Sequence, residues 1–503
     1  MLQTTKLLGA THHQLTGALA QCVALLSEWA KAPTPKFNGG VSETVVHPAV
    51  VAAMLLAMVL FFALPRSRVV VPLLFTTFLI PLGQQFYIGG VHLFIYRLLI
   101  LVAFIRAMIS PVPQHRSRYA GGWNTIDTAF TGYVVISAVA TLILYPGVPA
   151  LINQVGYLWD YLLGYFVLRS LIQTRDDSLL AIKCIAILTV LLGTAMVVEQ
   201  VRMINLFGLL GGVDAVPEVR EGKIRSQAVF AHALTAGAFG ATAIPLFLLL
   251  WNEGKAKLLT LAGVAGATVM TLTTQTSTSP LTYISGIVAV LLWPLRKSMR
   301  MVRVGLVASV LALQAIMKAP VWFVIAHIDL TGSSSNYHRA DLINQFVNHF
   351  SSWWLIGTRD AYSWGLDMWD VQNMYVSTGE AGGLAALICF VLVISRSYSR
   401  LGHARRRATS RKDDWLVWFL GAALFANVVA FFGVNYFDQI RMLWFALISM
   451  ICACTAPMLK NKRTAESPSV AADLHRLPSL SASHQAVALN QSKRLSKGLS
   501  RIR

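Results

Sequence analysis

The chain has few charged residues: Asp, Glu, Lys and Arg make up 13% of its 503 residues. Soluble domains contain about 25% charged residues, so this composition excludes an ordinary soluble domain. Cysteine is also scarce: the five cysteines show no C-x-x-C spacing, and we interpret them as small buried apolar side chains. The sequence also lacks an Asp-x-Asp motif and a histidine cluster of the kind that would demand a bound metal.

Long apolar stretches are abundant instead. Apolar residues make up 55% of the chain, and the mean hydropathy is +0.59. Such stretches recur from residue 49 to residue 457, which predicts an all-α polytopic membrane protein with about 12–14 transmembrane helices. The predicted spans are 49–64, 69–88, 91–110, 127–145, 151–171, 178–197, 227–251, 257–275, 280–295, 301–326, 372–395, 415–434 and 439–457.

The net charge of +20 is distributed in a way that argues against nucleic-acid binding. Lys and Arg lie in short segments between the spans, the pattern that orients helices during membrane insertion. The segment Arg396–Lys412, for example, has seven Lys or Arg residues and no acid. We therefore predict that these basic segments face the cytoplasm.

The chain divides into three parts. Residues 1–47 form an N-terminal segment in which Leu15–Ala30 is either an interfacial helix or a fourteenth span. Residues 48–458 form the membrane domain. Residues 459–503 form a Ser-rich tail with nine Lys or Arg residues and two acids after Leu459, predicted to be disordered and cytoplasmic.

Alternation of the spans places two longer polar connections, 198–226 and 327–371, on the outer side. The first contains four basic and four acidic residues, and the second contains two Arg and five Asp. These connections are the polar segments large enough to form a site. Arg225 ends the first, just before a span rich in Gly and Ala; the alternative role for this arginine is that of an interfacial anchor.

The second connection contains a predicted amphipathic helix. Apolar residues recur at helical spacing after Arg339, which favours a helix on the membrane surface with Trp353 and Trp354 at headgroup level. Arg339 lies at the start of this helix, where the helix dipole gives a cation little stabilisation. An anionic partner would explain that position, and Asp341 is the simplest alternative partner.

These segments, in this order, resemble the O-antigen ligase and polysaccharide polymerase superfamily of bacterial membrane glycosyltransferases. The resemblance covers about residues 200–395. The matching pieces are the small-residue span Arg225–Leu250, the Thr/Ser-rich junction Thr271–Leu292, Arg339, the turn Trp353–Gly357 and the Gly-rich start of a span at Gln372–Leu384.

Two departures from the family pattern stand out. Family ligases usually carry His immediately before Asn373, where this chain has Gln372. Many members also have an Arg after the Ser of the Thr/Ser-rich junction, where this chain reads "STSP". The first departure favours a polymerase over a ligase.

The resemblance implies transfer of a glycan from an undecaprenyl diphosphate carrier to a sugar hydroxyl at the periplasmic face of the inner membrane. Arginine side chains suit a diphosphate leaving group, because their planar charge binds phosphate oxygens in pairs. We therefore expect Arg225 and Arg339 to bind the diphosphate, with Arg220 as a substitute for Arg225. No metal or cofactor is expected.

The acceptor hydroxyl must lose a proton during this reaction. The candidates for the general base are Glu380, in a largely apolar helix entrance, and Asp370 and His338 in the outer loop. The alternative for Glu380 is a structural hydrogen-bonding role. Gln372, Asn373 and Tyr375 are the expected glycan-binding residues.

The sequence leaves three functions open. The chain is a polymerase that extends a lipid-linked glycan, a ligase that transfers a finished glycan to lipid A core or protein, or a transporter without chemistry. Expected partners are undecaprenyl-diphosphate-linked oligosaccharide, membrane lipids, and chain-length regulator and flippase proteins. Nucleic acid is not expected.

Overall fold

The computed structural model describes residues 43–111, 117–254, 256–327 and 335–465. The predicted N-terminal helix at Leu15–Ala30 and the tail beyond residue 465 lie outside the described residues. Helices make up most of the described chain. The first nine are α1 (Pro48–Ala63), α2 (Val70–Leu79), α3 (Ile95–Ile109), α4 (Thr125–Leu144), α5 (Val148–Leu158), α6 (Gly164–Leu171), α7 (Arg175–Arg202), α8 (Ala233–Asn252) and α9 (Lys257–Thr273).

A five-residue π-helix, Trp159–Leu163, joins α5 to α6 without a break. Two small antiparallel hairpins interrupt the helices: β1 (Gln85–Ile88) with β2 (Val91–Phe94), and β3 (Glu218–Arg220) with β4 (Lys223–Arg225). The remaining helices are α10 (Thr278–Leu291), α11 (Met299–Ile316), α12 (Val324–His327), α13 (Ser335–Asn348), α14 (Phe350–Trp353), α15 (Met374–Arg406), α16 (Arg411–Ala430) and α17 (Ile440–Ala465).

The predicted fold class is confirmed in its coarse form. Seven helices within the described residues are long and apolar enough to cross a membrane, namely α4, α7, α8, α11, α15, α16 and α17. The helices α1, α9 and α10 are apolar but shorter. The structure is therefore that of a mostly helical protein suited to a membrane.

The predicted spans 69–88 and 91–110 are wrong in part. Helix α2 ends at Leu79, and the chain continues into the β1–β2 hairpin before α3 begins at Ile95. The turn of this hairpin is Gly89–Gly90, and both glycines have positive φ, 58° and 84°. Such a two-glycine turn matches the twist of paired strands, so the apolar residues around it form a hairpin instead of a helix.

Helix α8 lies at the centre of the bundle and is almost fully buried. It packs against α9, α10 and α16. Its small residues allow this close packing: a Cβ on Gly237 would lie 2.1 Å from Ser279 Oγ, and one on Gly240 would lie 2.8 Å from the carbonyl oxygen of Ala267. By contrast, none of the residues of α11 is buried.

One end of the bundle carries many of the basic segments. Arg175, at the start of α7, pairs with Glu253 at the end of α8 and with Asp413 at the start of α16. Arg296, after α10, pairs with Asp414 at 3.2 Å. We call this the basic end; it carries the connections that the sequence assigns to the cytoplasm.

The two long polar connections meet at the opposite end, which we call the loop end. Ser226 N donates to the carbonyl oxygen of Thr273 at the end of α9 (3.2 Å). Met374 N, at the start of α15, donates to the carbonyl oxygen of Phe431 after α16 (2.8 Å). Helices of alternating direction therefore bring residues 203–232, 335–373 and 431–439 to the same end, as the alternation of spans predicts.

The predicted amphipathic helix exists as α13 and α14, but Trp353 packs inside the protein instead of facing outward. Trp353 is buried, stacks on Phe346 with ring centroids 3.9 Å apart, and donates from Nε1 to the Phe346 carbonyl oxygen (2.7 Å). The absence of a side chain on Gly379 lets α15 approach, since a Cβ there would lie 2.4 Å from the Phe346 ring. The apolar face of α13 therefore packs on its own bundle, whereas Trp354 is exposed.

A fully buried ion pair links α4 to α6. Arg169 donates from Nε and Nη2 to the carboxylate of Asp127 at 2.9 and 3.1 Å, and Tyr165 Oη donates to the same carboxylate at 2.7 Å. Neither charged side chain is exposed. Asp127 also completes a capping box with Asn124 at the start of α4. The carboxylate thus fixes both a helix start and a helix–helix contact.

Replacement of Asp127 by Ala should destabilise the protein by roughly 3–5 kcal/mol, because it leaves the charge of Arg169 buried without its partner. Thermal or denaturant unfolding in detergent measures this change. The control is Asp414→Asn at the partly exposed pair with Arg296, which should cost less than about 1 kcal/mol. Equal effects of the two substitutions would contradict the role assigned to the buried pair.

Candidate functional site

A cavity of about 610 Å³ opens at the loop end. It is formed by the β3–β4 hairpin, the start of α8, the turn between α9 and α10, the first turns of α13, the segment before α15 and the turn before α17. The lining residues are Glu218, Arg220, Glu221, Lys223, Arg225, His232, Leu234, Gln275, Thr276, His338, Arg339, Asp367, Trp369, Asp370, Gln372 and Phe437. Both long polar connections therefore contribute to a single site.

Arg225 is the last residue of β4 and is only 6% exposed. The hairpin places it opposite Glu218, and its Nη1 donates to both carboxylate oxygens of Glu218 at 3.1 and 3.0 Å. Its Nε is buried and has no hydrogen-bond partner among the described residues. Glu218 is 43% exposed, so Arg225 is held by a carboxylate that solvent or a ligand can reach.

Two buried carboxylates hold the backbone that follows Arg225. Glu199, at the end of α7, accepts from Gln227 N at 3.1 Å and from Ala228 N at 2.9 Å. Asp438 accepts from Ala231 N at 3.3 Å and from Thr235 Oγ1 at 2.6 Å. The segment between β4 and α8 is thus fixed on both sides, which keeps Arg225 at the cavity wall.

Arg339 enters the cavity from α13 and is also 6% exposed. Its Nη1 donates to Asn336 Oδ1 at 2.6 Å. Burial, followed by the positive charge of Arg225, lowers the pKa of Arg339 from 12.5 to about 10. The side chain therefore remains charged at neutral pH. Arg225 and Arg339, 114 positions apart in the sequence, lie close enough to repel each other electrostatically.

His338, Asp370 and Gln372 form a connected group on another part of the wall. His338 Nε2 lies 3.2 Å from the carbonyl oxygen of Asp370. The Asp370 carboxylate accepts from Gln372 Nε2, at 2.9 Å to Oδ1 and 3.1 Å to Oδ2. Gln372 Oε1 is buried without a hydrogen-bond partner in the described part of the chain. This amide oxygen can accept a hydrogen bond from a ligand hydroxyl.

Arg220 also lines the cavity, but its side chain is exposed. The same is true of Lys223, Glu221 and Asp367. The cavity is therefore most shielded from solvent around Arg225 and Arg339. Interactions of these two arginines with an anion would be screened less than those of the exposed groups.

The other predicted site residues do not line this cavity. Asn373 is buried and caps α15, since its Oδ1 accepts from Tyr375 N (2.9 Å) and Val376 N (3.1 Å). The Tyr375 hydroxyl donates to the carbonyl oxygen of Val428 (3.2 Å). Glu380 lies in the second turn of α15, where its carbonyl oxygen accepts from Thr358 N (2.9 Å). Asn373 and Tyr375 thus make structural contacts.

Sequence reasoning missed His232 and Glu218, although both lie beside the predicted Arg225. His232 is the N-cap of α8, and its Nδ1 accepts from Leu234 N at 3.1 Å. Its Nε2 lies 3.9 Å from Glu218 Oε2. Burial, and then the charge of Arg225, lower the pKa of His232. The position of this histidine just before a small-residue span was the available signal.

No protein-family profile matches this chain, and a comparison with curated proteins finds no match. Among the described residues, no group of three or more His, Cys, Asp or Glu side chains is arranged to hold a metal ion. Interpretation of the site therefore depends on its own geometry. Buried guanidinium groups, an open cavity and nearby imidazoles can bind an anion and move a proton.

Removal of the Glu218 charge should strengthen anion binding, because this carboxylate competes with an anion for Arg225. We expect Glu218→Gln to tighten the binding of inorganic pyrophosphate by roughly fivefold, or about 1 kcal/mol for a half-exposed ion pair. Titration calorimetry in detergent measures the affinity. Asp360→Asn, which removes the same charge from an exposed position outside the cavity lining, should leave it unchanged. Unchanged or weaker binding by Glu218→Gln would refute the competition.

Proposed function

We propose that the protein is a membrane glycosyltransferase that transfers a polyprenyl-diphosphate-linked glycan to a sugar hydroxyl. The observation that carries this proposal is the presence of two buried arginines, Arg225 and Arg339, in one cavity at the loop end. The two arginines belong to separate polar connections, and their charges repel each other. A ligand with two adjacent phosphates would neutralise both.

The diphosphate is the chemical group that fits this arrangement best. Guanidinium groups bind phosphate oxygens in pairs, and their attraction grows where water is partly excluded. The start of α8 adds the partial positive charge of a helix N-terminus beside His232. A cavity of about 610 Å³ also leaves room for a sugar beside the phosphates, since small-molecule sites have volumes of about 300–1,000 Å³.

The charges at the two ends support one membrane orientation. Lys and Arg segments are retained on the cytoplasmic side, which favours the basic end in the cytoplasm and the loop end outside it. A bundle of about 12–14 membrane helices in the inner membrane of a bacterium would then open its cavity to the periplasm. A lipid-linked glycan would reach the cavity from the outer leaflet.

In the reaction, the acceptor oxygen attacks the anomeric carbon while the bond to the diphosphate breaks. Arg225 and Arg339 stabilise the negative charge that develops on the leaving phosphate. A base in the cavity takes the proton of the acceptor hydroxyl. Gln372 and the exposed ring of Trp369 are suited to bind sugar hydroxyls and a sugar face, respectively.

Polymerase activity is favoured over ligase activity by Gln372. This residue stands where ligases of the family that the sequence resembles usually carry His, and an amide has no acid–base chemistry. Deletion of the gene and analysis of the surface glycan separates the alternatives. Single repeat units indicate a polymerase, and full-length chains retained on the lipid carrier indicate a ligase. Units that accumulate at the cytoplasmic leaflet would indicate a transporter and would overturn the proposal.

Arg339→Lys and Arg225→Lys should each lower glycan transfer by roughly 100-fold or more, because loss of one donor to the developing charge costs about 10²–10³ in rate. Lysine keeps the charge but cannot bind phosphate in the paired manner of arginine. Glycan formed in a complemented deletion strain measures the effect, with Arg303→Lys on the exposed helix α11 as control. Full activity of a correctly inserted Arg339→Lys variant would rule out paired phosphate binding.

A further inference from the structure

Helix α15 is broken at Gly383, where φ is 67° and ψ is −169°. In an unbroken helix, Leu384 N would donate to the carbonyl oxygen of Glu380, four positions earlier. Here Leu384 N instead donates to the carbonyl oxygen of Trp354 (2.8 Å). The Glu380 carbonyl oxygen accepts from Thr358 N (2.9 Å). The turn that runs from Trp354 to Thr358 thus supplies a hydrogen-bond partner to each side of the break.

Trp354 and Thr358 are themselves four positions apart, so they form a second potential helical pair. The bonds just before them are already helical. Trp354 N donates to the Phe350 carbonyl oxygen (3.1 Å), and Gly357 N donates to that of Trp353 (2.8 Å). A bond from Thr358 N to the Trp354 carbonyl oxygen would be the next of this series and would lengthen α14. The four backbone groups can therefore pair in two ways: crossed between the two segments, as in the structure, or helical within each segment.

Both arrangements contain the same number of backbone hydrogen bonds. The crossed arrangement has two bonds between the segments, and the helical arrangement has one bond within each. Helix α15 is long and apolar enough to cross a membrane, and an unpaired backbone group is costly in such surroundings. An exchange of partners leaves none of the four groups unpaired. The count of hydrogen bonds therefore favours neither arrangement over the other.

Glycines occupy the two positions at which the crossed arrangement requires them. The φ and ψ of Gly383 lie in a region that is essentially restricted to glycine, and a Cβ there would lie 2.7 Å from the Leu355 carbonyl oxygen. Gly357 has a φ of 86°, and its Cβ would lie 2.1 Å from the Glu380 carbonyl oxygen. Glycine also adopts the φ and ψ of a helix. Both positions are therefore compatible with either arrangement.

From these observations we propose that the break in α15 is a two-state switch. In the crossed state, α15 is interrupted at Gly383 and binds the turn. In the helical state, α15 is continuous and α14 extends through Thr358. The exchange of hydrogen bonds does not depend on the reaction. Its consequence for a ligand rests on the proposed function, in which Arg339 binds a diphosphate.

An apolar cluster connects the turn to Arg339. Helix α13 carries Arg339 near its start, and Phe346 of the same helix stacks on Trp353, the residue just before the turn. A Cβ on Gly379, in the first part of α15, would lie 2.4 Å from the Phe346 ring. Other buried members of the cluster are Leu342, Trp364, Met368 and Val376. The crossed state therefore packs α13 on the first part of α15 and keeps Arg339 in the cavity wall.

The charges of Arg225 and Arg339 couple the switch to an anionic ligand. Without an anion the two guanidinium groups repel each other, which favours the helical state, because α13 then loses its support and Arg339 moves away from Arg225. An anion between them stabilises both charges and favours the crossed state. A ligand that binds one state more tightly shifts the population towards that state. By the same coupling, a change that favours the helical state weakens binding of the ligand.

The experiment uses Gly383→Ala, which penalises only the crossed state. The control is Gly402→Ala, farther along α15, where a Cβ would make an ordinary contact with Arg406 Nη1 at 3.8 Å. Spin labels are attached to cysteines at two exposed positions, Leu355 of the turn and Val139 of α4, after replacement of the native cysteines. Electron paramagnetic resonance in detergent gives the distance between the labels with and without inorganic pyrophosphate. Titration calorimetry gives the affinity, and thermal unfolding gives the stability.

We expect the protein with Gly383 to show two label distances, with pyrophosphate increasing the population of one of them. Gly383→Ala should populate only the other distance and should bind pyrophosphate at least roughly tenfold more weakly, because its crossed state is strained. Its melting temperature should stay within about 4 °C of wild type, since the helical state relieves the strain. Gly402→Ala should match wild type in all three measurements.

A single label distance that neither pyrophosphate nor Gly383→Ala changes would overturn the switch. A large fall in the melting temperature of Gly383→Ala with unchanged pyrophosphate affinity would also overturn it, because a fixed break can only accumulate strain. The proposed function fails separately, if Arg225→Lys and Arg339→Lys both leave glycan transfer intact. The label distances do not depend on that result.

Discussion

The constraint on which this structure depends is the burial of two like charges at one cavity. Arg225 and Arg339 are each 6% exposed, and burial, followed by the charge of Arg225, lowers the pKa of Arg339 to about 10. Glu218 and Asn336 compensate part of this cost. Loss of either partner would leave an arginine buried without compensation, which costs much free energy in a site with little water. A fold that retains both arginines therefore needs rigid support around them. An anion in the cavity would lower the free energy of both.

That support comes from carboxylates that never reach the cavity. Glu199 and Asp438 hold the backbone between β4 and α8, and they belong to α7 and to the turn before α17. Three distant parts of the chain must therefore pack together before Arg225 can point into the site. The small residues of α8 make this possible, because Gly237 and Gly240 let α9 and α10 approach its backbone. The packing of the central helix and the electrostatics of the cavity are thus coupled.

Much of this arrangement could be predicted from the sequence. Apolar periodicity predicts the helices, and alternation of the basic segments predicts that the two polar connections meet at one end. Arg225, Arg339 and Gln372 were predicted in the site and line the cavity. Asn373 and Tyr375 were predicted beside them, but hydrogen bonds of the helix start and of α16 occupy their polar groups. Trp353 was predicted at a membrane surface, yet the bundle itself buries it.

The sequence by itself determined the fold class, the two ends of the bundle and the presence of arginines in the polar connections. Hydropathy and charge are properties of short segments, and their pattern recurs along the chain. The tertiary structure alone decided which of the polar groups share a cavity and which of them it buries. Those properties depend on hydrogen bonds between residues far apart in the chain, such as His338 with Asp370 and Glu199 with Ala228. No local pattern of residues encodes such partners, since they arise only when the helices pack.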